Sequence, residues 1–237
     1  MIRVVLALLL LGVALQSPLP FDCDDVYKSG WGQNGVYTIY PAGPTSAVQV
    51  YCDMGQDDTG SAAKWTVIQR RMDGTVNFFR KWEHYKNGFG FAGGEYWLGL
   101  ETMHLMTKEK RYELRVDLED FEGTSVYSHF ASFAVGTESD GYRLSVGTFV
   151  KGAGGDSLQI HNGQKFTTFD RDQDTHGSNC AVLCYGGFWF EACFAANPNG
   201  VYTWGPSPRY DGVHWRTFKG LEYSLKTLVM KIRPVKE

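Results

Sequence analysis

The sequence predicts a mixed α+β domain of short strands, turns and a few helices, and argues against a helix bundle. Three observations carry this. The 237 residues include 28 Gly, 7 Trp, 13 Tyr and 15 Phe, which implies many turns around an aromatic core. Tyr112-Glu113-Leu114-Arg115-Val116-Asp117-Leu118 alternates apolar and polar side chains, the period of a half-buried strand. Trp97, Leu98, Leu100, Met103, Leu105 and Met106 recur at helical intervals, predicting a helix over Glu95–Met106.

The chain opens as a secretory leader. Arg3 supplies the positive start, Val4 to Leu15 is a run of apolar residues and Gly, and Gly12-Val13-Ala14 offers small residues for cleavage. The run falls short of the roughly 20 residues of a membrane span. The expectation is a signal peptide over 1–16, cut between Ala14 and Ser17, and a secreted domain over 17–237. No KDEL-type signal closes the chain. Losing Arg3 leaves 22 basic against 26 acidic residues, a net charge of −4, which argues against nucleic acid as a partner.

Five cysteines follow the leader: Cys23, Cys52, Cys180, Cys184 and Cys193. In a secreted chain they are disulfide candidates first, and an odd count leaves one free or joined between chains. Many pairings are open. Cys23 with Cys52 is the natural local pair, and Cys180 with Cys193 is favoured over any pairing that uses Cys184.

Residues 21–64 read as a small stapled module. Asn34-Gly35 turns into a strand through Tyr40, Val48–Cys52 is a second strand, and Gly55–Ala63 is a loose loop. Residues 65–150 form a mixed body: a strand over Trp65–Arg70 turned by Asp73-Gly74, the helix over Glu95–Met106, the alternating strand, and further strands over Val126–Val135 and Tyr142–Val150. In residues 151–237 Gly, Asn and aromatic residues dominate and periodicity fades until Tyr223–Arg233. Function concentrates on loops held by a scaffold, so this last third is where a site is expected.

Within it lies Asp170-Arg171-Asp172-Gln173-Asp174-Thr175-His176-Gly177-Ser178-Asn179-Cys180. Alternating carboxylates in a turning loop can converge on one centre, where a hard cation offsets their repulsion. Calcium, with about six to eight oxygen ligands and tolerance of irregular geometry, fits better than magnesium. The competing reading is a solvated polar turn. The loop is not an EF-hand, because Thr175 occupies the position requiring glycine and Ala181 the position requiring glutamate. His176, Cys180, Cys184 and Cys193 could alternatively hold zinc, unless Cys180 is oxidised with Cys193.

Together these segments resemble the fibrinogen C-terminal domain family. The resemblance rests on Phe166-Thr167-Thr168-Phe169-Asp170-Arg171-Asp172-Gln173-Asp174, Asn179-Cys180-Ala181, Gly187-Phe188-Trp189-Phe190, Asn199-Gly200-Val201-Tyr202, Gly212-Val213-His214-Trp215 and Met230-Lys231-Ile232-Arg233-Pro234. Upstream, Asn34-Gly35-Val36-Tyr37, Val50-Tyr51-Cys52-Asp53-Met54, Trp65-Thr66-Val67-Ile68-Gln69-Arg70-Arg71 and Glu95-Tyr96-Trp97-Leu98-Gly99-Leu100 fit as well. Leu114–Glu122 and Gly154-Gly155-Asp156-Ser157-Leu158 are similar to the family's matrix-associated members.

The resemblance implies a disulfide-stapled N-terminal subdomain, a central antiparallel sheet with short helices, and an irregular C-terminal subdomain. It implies the disulfides Cys23–Cys52 and Cys180–Cys193, leaving Cys184 as the odd cysteine, either buried and free or joined to another chain. It implies Ca2+ bound by the side chains of Asp172 and Asp174 and the backbone carbonyls of His176 and Ser178, with Asp170 behind them. It also implies a ligand pocket beside Cys193, after a cis peptide at Ala192–Cys193, with Cys184, Tyr185, Phe194 and Tyr210 around it. Phe194 stands where acetyl-binding relatives often carry His, and Cys184 where some carry Tyr.

The function implied is a non-catalytic, oligomeric matrix protein associating with elastin (tropoelastin), fibrillin and collagen, and with cell adhesion. The alternative is an innate-immune lectin for acetylated glycans. No Arg-Gly-Asp, N-glycosylation sequon, His-Glu-x-x-His, Gly-x-Ser-x-Gly or phosphate loop occurs.

Overall fold

The computed structural model describes residues 18–57 and 59–235, so the expected signal peptide lies outside the described residues. A short helix, α1 (Cys23–Lys28), leads into strands β1 (Gly35–Ile39), β2 (Val48–Asp53) and β3 (Trp65–Arg71). Helix α2 (Trp82–Asn87), strands β4 (Phe89–Gly90) and β5 (Tyr96–Trp97) and helix α3 (Leu100–Glu109) follow. Next come β6 (Tyr112–Glu119), β7 (Ser125–Val135), β8 (Leu144–Val146) and β9 (Phe149–Lys151). The rest of the chain contains α4 (Cys180–Leu183), β10 (Ala196–Asn197), β11 (Gly205–Pro206), β12 (His214–Trp215), α5 (Arg216–Lys219), β13 (Tyr223–Ser224) and β14 (Thr227–Pro234).

The main sheet is antiparallel and runs in the order β1-β2-β3-β14-β6-β7-β8, with β4, β5 and β9 attached beside this path. The last strand therefore occupies its middle, pairing with β6 from Thr227↔Glu119 to Pro234↔Tyr112 and with β3 on its other side. The alternation of β6 matches its burial: Tyr112, Leu114, Val116 and Leu118 face the core, and the intervening residues are half-buried.

Two elements depart from the sequence expectation. Tyr96 and Trp97 form a strand against Gln69 and Arg70, and the helix begins only at Leu100. A strand followed at once by a helix mimics one helical stripe. Gly99 separates them at φ +107°, and a Cβ there would lie 2.9 Å from the backbone of Asn87 and Gly88. The single strand expected over Tyr142–Val150 is two short ones, both paired to β7. Gly147 lies between them, where a Cβ would meet Ser132 Oγ at 2.5 Å.

Helix α1 had no apolar stripe to announce it. Asp22 caps it, accepting from the amides of Asp24 and Asp25 at 3.0 and 3.1 Å. The other Asp22 oxygen accepts from Lys110 Nζ at 2.9 Å and Tyr112 Oη at 2.7 Å, and Cys23 is bonded to Cys52. The helix is thus fixed by partners distant in sequence.

Beneath the last third lies an aromatic core. Phe166, Trp97 and Trp189 pack with ring centroids 5.1–5.9 Å apart, and Phe188 and Phe190 extend the cluster. A buried polar clamp ties this region to the sheet. Arg71 Nη1 donates to the carbonyls of Pro198 and Gly200 at 3.1 and 2.6 Å, and its Nε lies 3.5 Å from Glu95. Glu95 also accepts from the amides of Met72, Asp73, Gly74 and Val76.

Candidate functional site

The aspartate loop hangs from this core. The backbones of Thr167 and Phe188 exchange two hydrogen bonds, and Gln173 Nε2 donates to the Phe166 carbonyl at 2.6 Å. At its far end Asn179 caps α4, accepting from Val182 N at 3.1 Å, while its amide donates to the Thr168 carbonyl.

Asp170 ties the loop to α2. Its Oδ1 accepts from Trp82 N, the first amide of α2, at 2.9 Å and from Thr168 Oγ1 at 2.8 Å. Asp172 is exposed and Asp174 half-buried. Asp172 Oδ1 accepts from Asp174 N at 3.3 Å, and Asp174 spans His176 N at 3.0 Å and Cys180 N at 2.9 Å. Burial, opposed by those two amides and reinforced by the Asp172 charge, raises the Asp174 carboxyl above its ordinary value. His176 Nδ1 lies 2.9 Å from the Ser178 carbonyl.

The carboxylates of Asp172 and Asp174, with the backbone carbonyls of His176 and Ser178 in the same loop, offer only oxygen donors, which suits a hard divalent cation such as calcium. The sulfur-bearing alternative does not fit. His176, Cys180 and Cys193 do converge, but both sulfurs are spent in the Cys180–Cys193 disulfide. The acidic group Asp22, Asp24 and Asp25 is instead satisfied by Lys110, Lys28 and Lys64.

The disulfide joins this loop to the segment after it. Thr175 N also donates to the Glu191 carbonyl at 3.1 Å, and the Ala192–Cys193 peptide is cis. Phe194 is half-buried and stacks on His214, with centroids 5.8 Å apart and planes 10° from parallel. Tyr185 is 42% exposed and lies 5.6 Å from the Phe79 ring. Tyr210 is exposed, with its hydroxyl 2.9 Å from Glu222.

Cys184 is only 3% exposed, so the thiol does not present itself to a second chain. Burial, with the fields of Asp174 and Asp211, pushes it up to about 12. The thiol is thus held in its protonated form at neutral pH.

Sequence reasoning overlooked His161. Its Nδ1 donates to the Trp189 carbonyl at 2.7 Å, and its Nε2 accepts from Ala195 N at 3.1 Å and Ala196 N at 3.0 Å. A neutral imidazole thus holds the backbone just beyond Phe194. The tautomer follows from those partners. A single His in a glycine-rich stretch carries no signal for this role.

Burial lowers the His161 pKa from 6.5 to about 4, opposed by the Trp189 carbonyl. The unfolded chain therefore binds the extra proton between these values, and stability present above pH 6.5 falls as the pH drops toward 4. The expected loss is about 3 kcal/mol across that window. Urea unfolding of wild type and His161→Gln at pH 7 and about pH 4.5 measures it. The wild type should lose more stability than the variant; equal losses would contradict the assignment.

Comparison with known proteins now places the fold. Residues 19–235 match the family described as fibrinogen beta and gamma chains, C-terminal globular domain. The chain belongs to the fibrinogen C-terminal domain family. It is 54% identical over 225 residues to microfibril-associated glycoprotein 4 of Homo sapiens, covering 92% of this chain and 86% of that protein. The Bos taurus protein of the same name is 53% identical over 221 residues, covering 91% and 85%. Among solved structures, the fibrinogen-like globe domain of human ANGPTL2 superposes with a TM-score of 0.85 at 46% identity, covering 91% of this chain and 99% of that one. The large antiparallel sheet, the short helices and the Cys23–Cys52 staple are those of a fibrinogen-like globe. Among the described residues no helix is long and apolar enough to cross a membrane.

Proposed function

We propose that this fibrinogen-family domain is a secreted, non-catalytic, calcium-binding protein of the extracellular matrix that associates with elastic-fibre and microfibril components. The observation that carries the reading is the 54% identity to a microfibril-associated glycoprotein over 92% of the chain. Elastin, fibrillin and collagen are the proposed partners, cell adhesion is the proposed consequence, and display as a homo-oligomer would raise avidity.

The ion's role is positional. Asp172 and Asp174 would hold it through carboxylates, and His176 and Ser178 through carbonyls. When bound, the ion supplies the positive charge that offsets repulsion between the carboxylates. Asp174 then keeps its bonds to His176 N and Cys180 N, which fixes the start of α4 and, through the disulfide, Cys193. Asp170 supports the arrangement by anchoring the loop to the first amide of α2.

A second reading, recognition of acetylated glycans, is supported by the exposed Tyr185 ring and the half-buried Phe194 among the expected pocket residues. Parallel capture of the secreted protein on tropoelastin, fibrillin, collagen and acetylated-sugar beads, with calcium or chelator, tests both. The expected result is calcium-dependent capture by a matrix protein. Capture by the sugar beads alone, released by free acetylated sugar, would replace the matrix reading with the lectin one; capture by neither would refute both.

A further inference from the structure

Away from the aspartate loop, one surface carries more exposed aromatic area than folding requires. Trp204 is 79% exposed, and among the described residues its indole makes no hydrogen bond or ring contact. Phe121 and Met72, both in contact with Tyr202 two residues earlier, are also exposed. The Phe121 and Tyr202 rings lie 6.5 Å apart, and Phe121 N donates to Tyr223 Oη at 2.9 Å. The β11–β13 pairing sets Gly205 opposite Ser224 and Pro206 opposite Tyr223, directly after Trp204 in the chain.

The ridge is built rather than loose. Tyr202 Oη bonds the carbonyls of Met72 and Lys226 at 3.0 and 2.9 Å, and the Arg71 clamp holds the preceding carbonyls of Pro198 and Gly200. An exposed tryptophan on a fixed backbone costs little entropy to engage, which is why tryptophan dominates binding hot spots.

The fringe is acidic. Lys226 is matched by Glu119 at 2.6 Å, whereas Lys219 alone serves two carboxylates, Asp120 at 2.8 Å and Glu122 at 3.4 Å, and Asp73 is exposed nearby. Arg209 is paired with Asp211 at 3.6 Å, and Arg71, 5.9 Å from the Tyr202 ring, is paired with Glu95 at 3.5 Å. Burial first, then the fields of Glu95, Asp73 and Glu119, opposed by Arg71, raise the Tyr202 phenol.

We propose that the Phe121–Tyr202–Trp204–Tyr223 ridge docks a lysine-bearing extended segment of a matrix polypeptide. The ammonium groups would lie over the Trp204 face and against Asp73 and Glu122, and the apolar stems along the aromatic rings. The partner class rests on the matrix reading above, whereas the ridge itself does not.

The test uses the full secreted protein in calcium and a synthetic peptide of alternating Lys and Ala as probe, read by calorimetry. The same peptide with Gln in place of every Lys is the control. Trp204→Ala should weaken the lysine peptide by about ten-fold or more, and Glu122→Gln by about three-fold. The control peptide should not bind. Both variants should melt with the wild type, since each changes an exposed side chain. Undiminished binding by Trp204→Ala, equal binding of the control, or no binding of the lysine peptide would each overturn the proposal. If tropoelastin is captured but the peptide is not, the ridge proposal falls and the matrix reading stands. If the peptide binds through Trp204 and no matrix protein is captured, the matrix reading falls and the ridge stands.

Discussion

Glu95→Ala is expected to destabilise the fold by about 4 kcal/mol, because breaking one side of a buried ion pair strands its partner. Arg71 is fully buried, and burial already lowers its pKa, opposed chiefly by Glu95. The same substitution frees the amides of Met72, Asp73, Gly74 and Val76, which Glu95 alone collects. Against a typical total of about 5–15 kcal/mol, this is a large fraction. Chemical denaturation of the purified variant measures it, and a change below about 1 kcal/mol would contradict the clamp. Because Arg71 also holds the carbonyls of Pro198 and Gly200, the variant should lose Trp204-dependent peptide binding together with stability.

Calcium removal has the second large effect. An ion that binds only the folded state at about 100 times its dissociation constant adds about 2.7 kcal/mol. For a domain of this size that corresponds to about 5–10 °C in Tm. Melting in calcium and in chelator should differ by this amount in the wild type. In Asp174→Asn the difference should largely vanish, because that side chain both binds the ion and ties His176 N to Cys180 N. A wild-type Tm that ignores chelator would argue that the loop is only a polar turn.

The parts of the fold legible in sequence are those whose cause is local. The period of Tyr112–Leu118 could be read because one face of that strand is buried and the other is not. The helical stripe of Glu95–Met106 misled because Trp97 is buried in a strand and Leu100 onward in a helix, with Leu98 and the positive-φ Gly99 linking the two. Helix α1 was invisible because Lys110 and Tyr112, far along the chain, hold its cap.

The candidate site divides in the same way. Spacing made Asp170, Asp172 and Asp174 conspicuous together, and only the family resemblance singled out Asp172 and Asp174 as ion ligands. The bond from Trp82 N to Asp170 crosses between distant segments, and sequence carries no trace of it. His161 and the Arg71–Glu95 clamp are likewise polar groups whose roles exist only once the backbone carbonyls and amides they serve have been brought together.

The claim on which the account turns is that one calcium ion sits at Asp172 and Asp174. Calorimetric titration of calcium into chelator-stripped protein tests it directly, with wild type, Asp172→Asn and Asp174→Asn side by side. The account predicts one tight site per chain in the wild type and its loss in both variants while the disulfides remain intact. A tight site that survives both substitutions, or no site in the wild type, would contradict it.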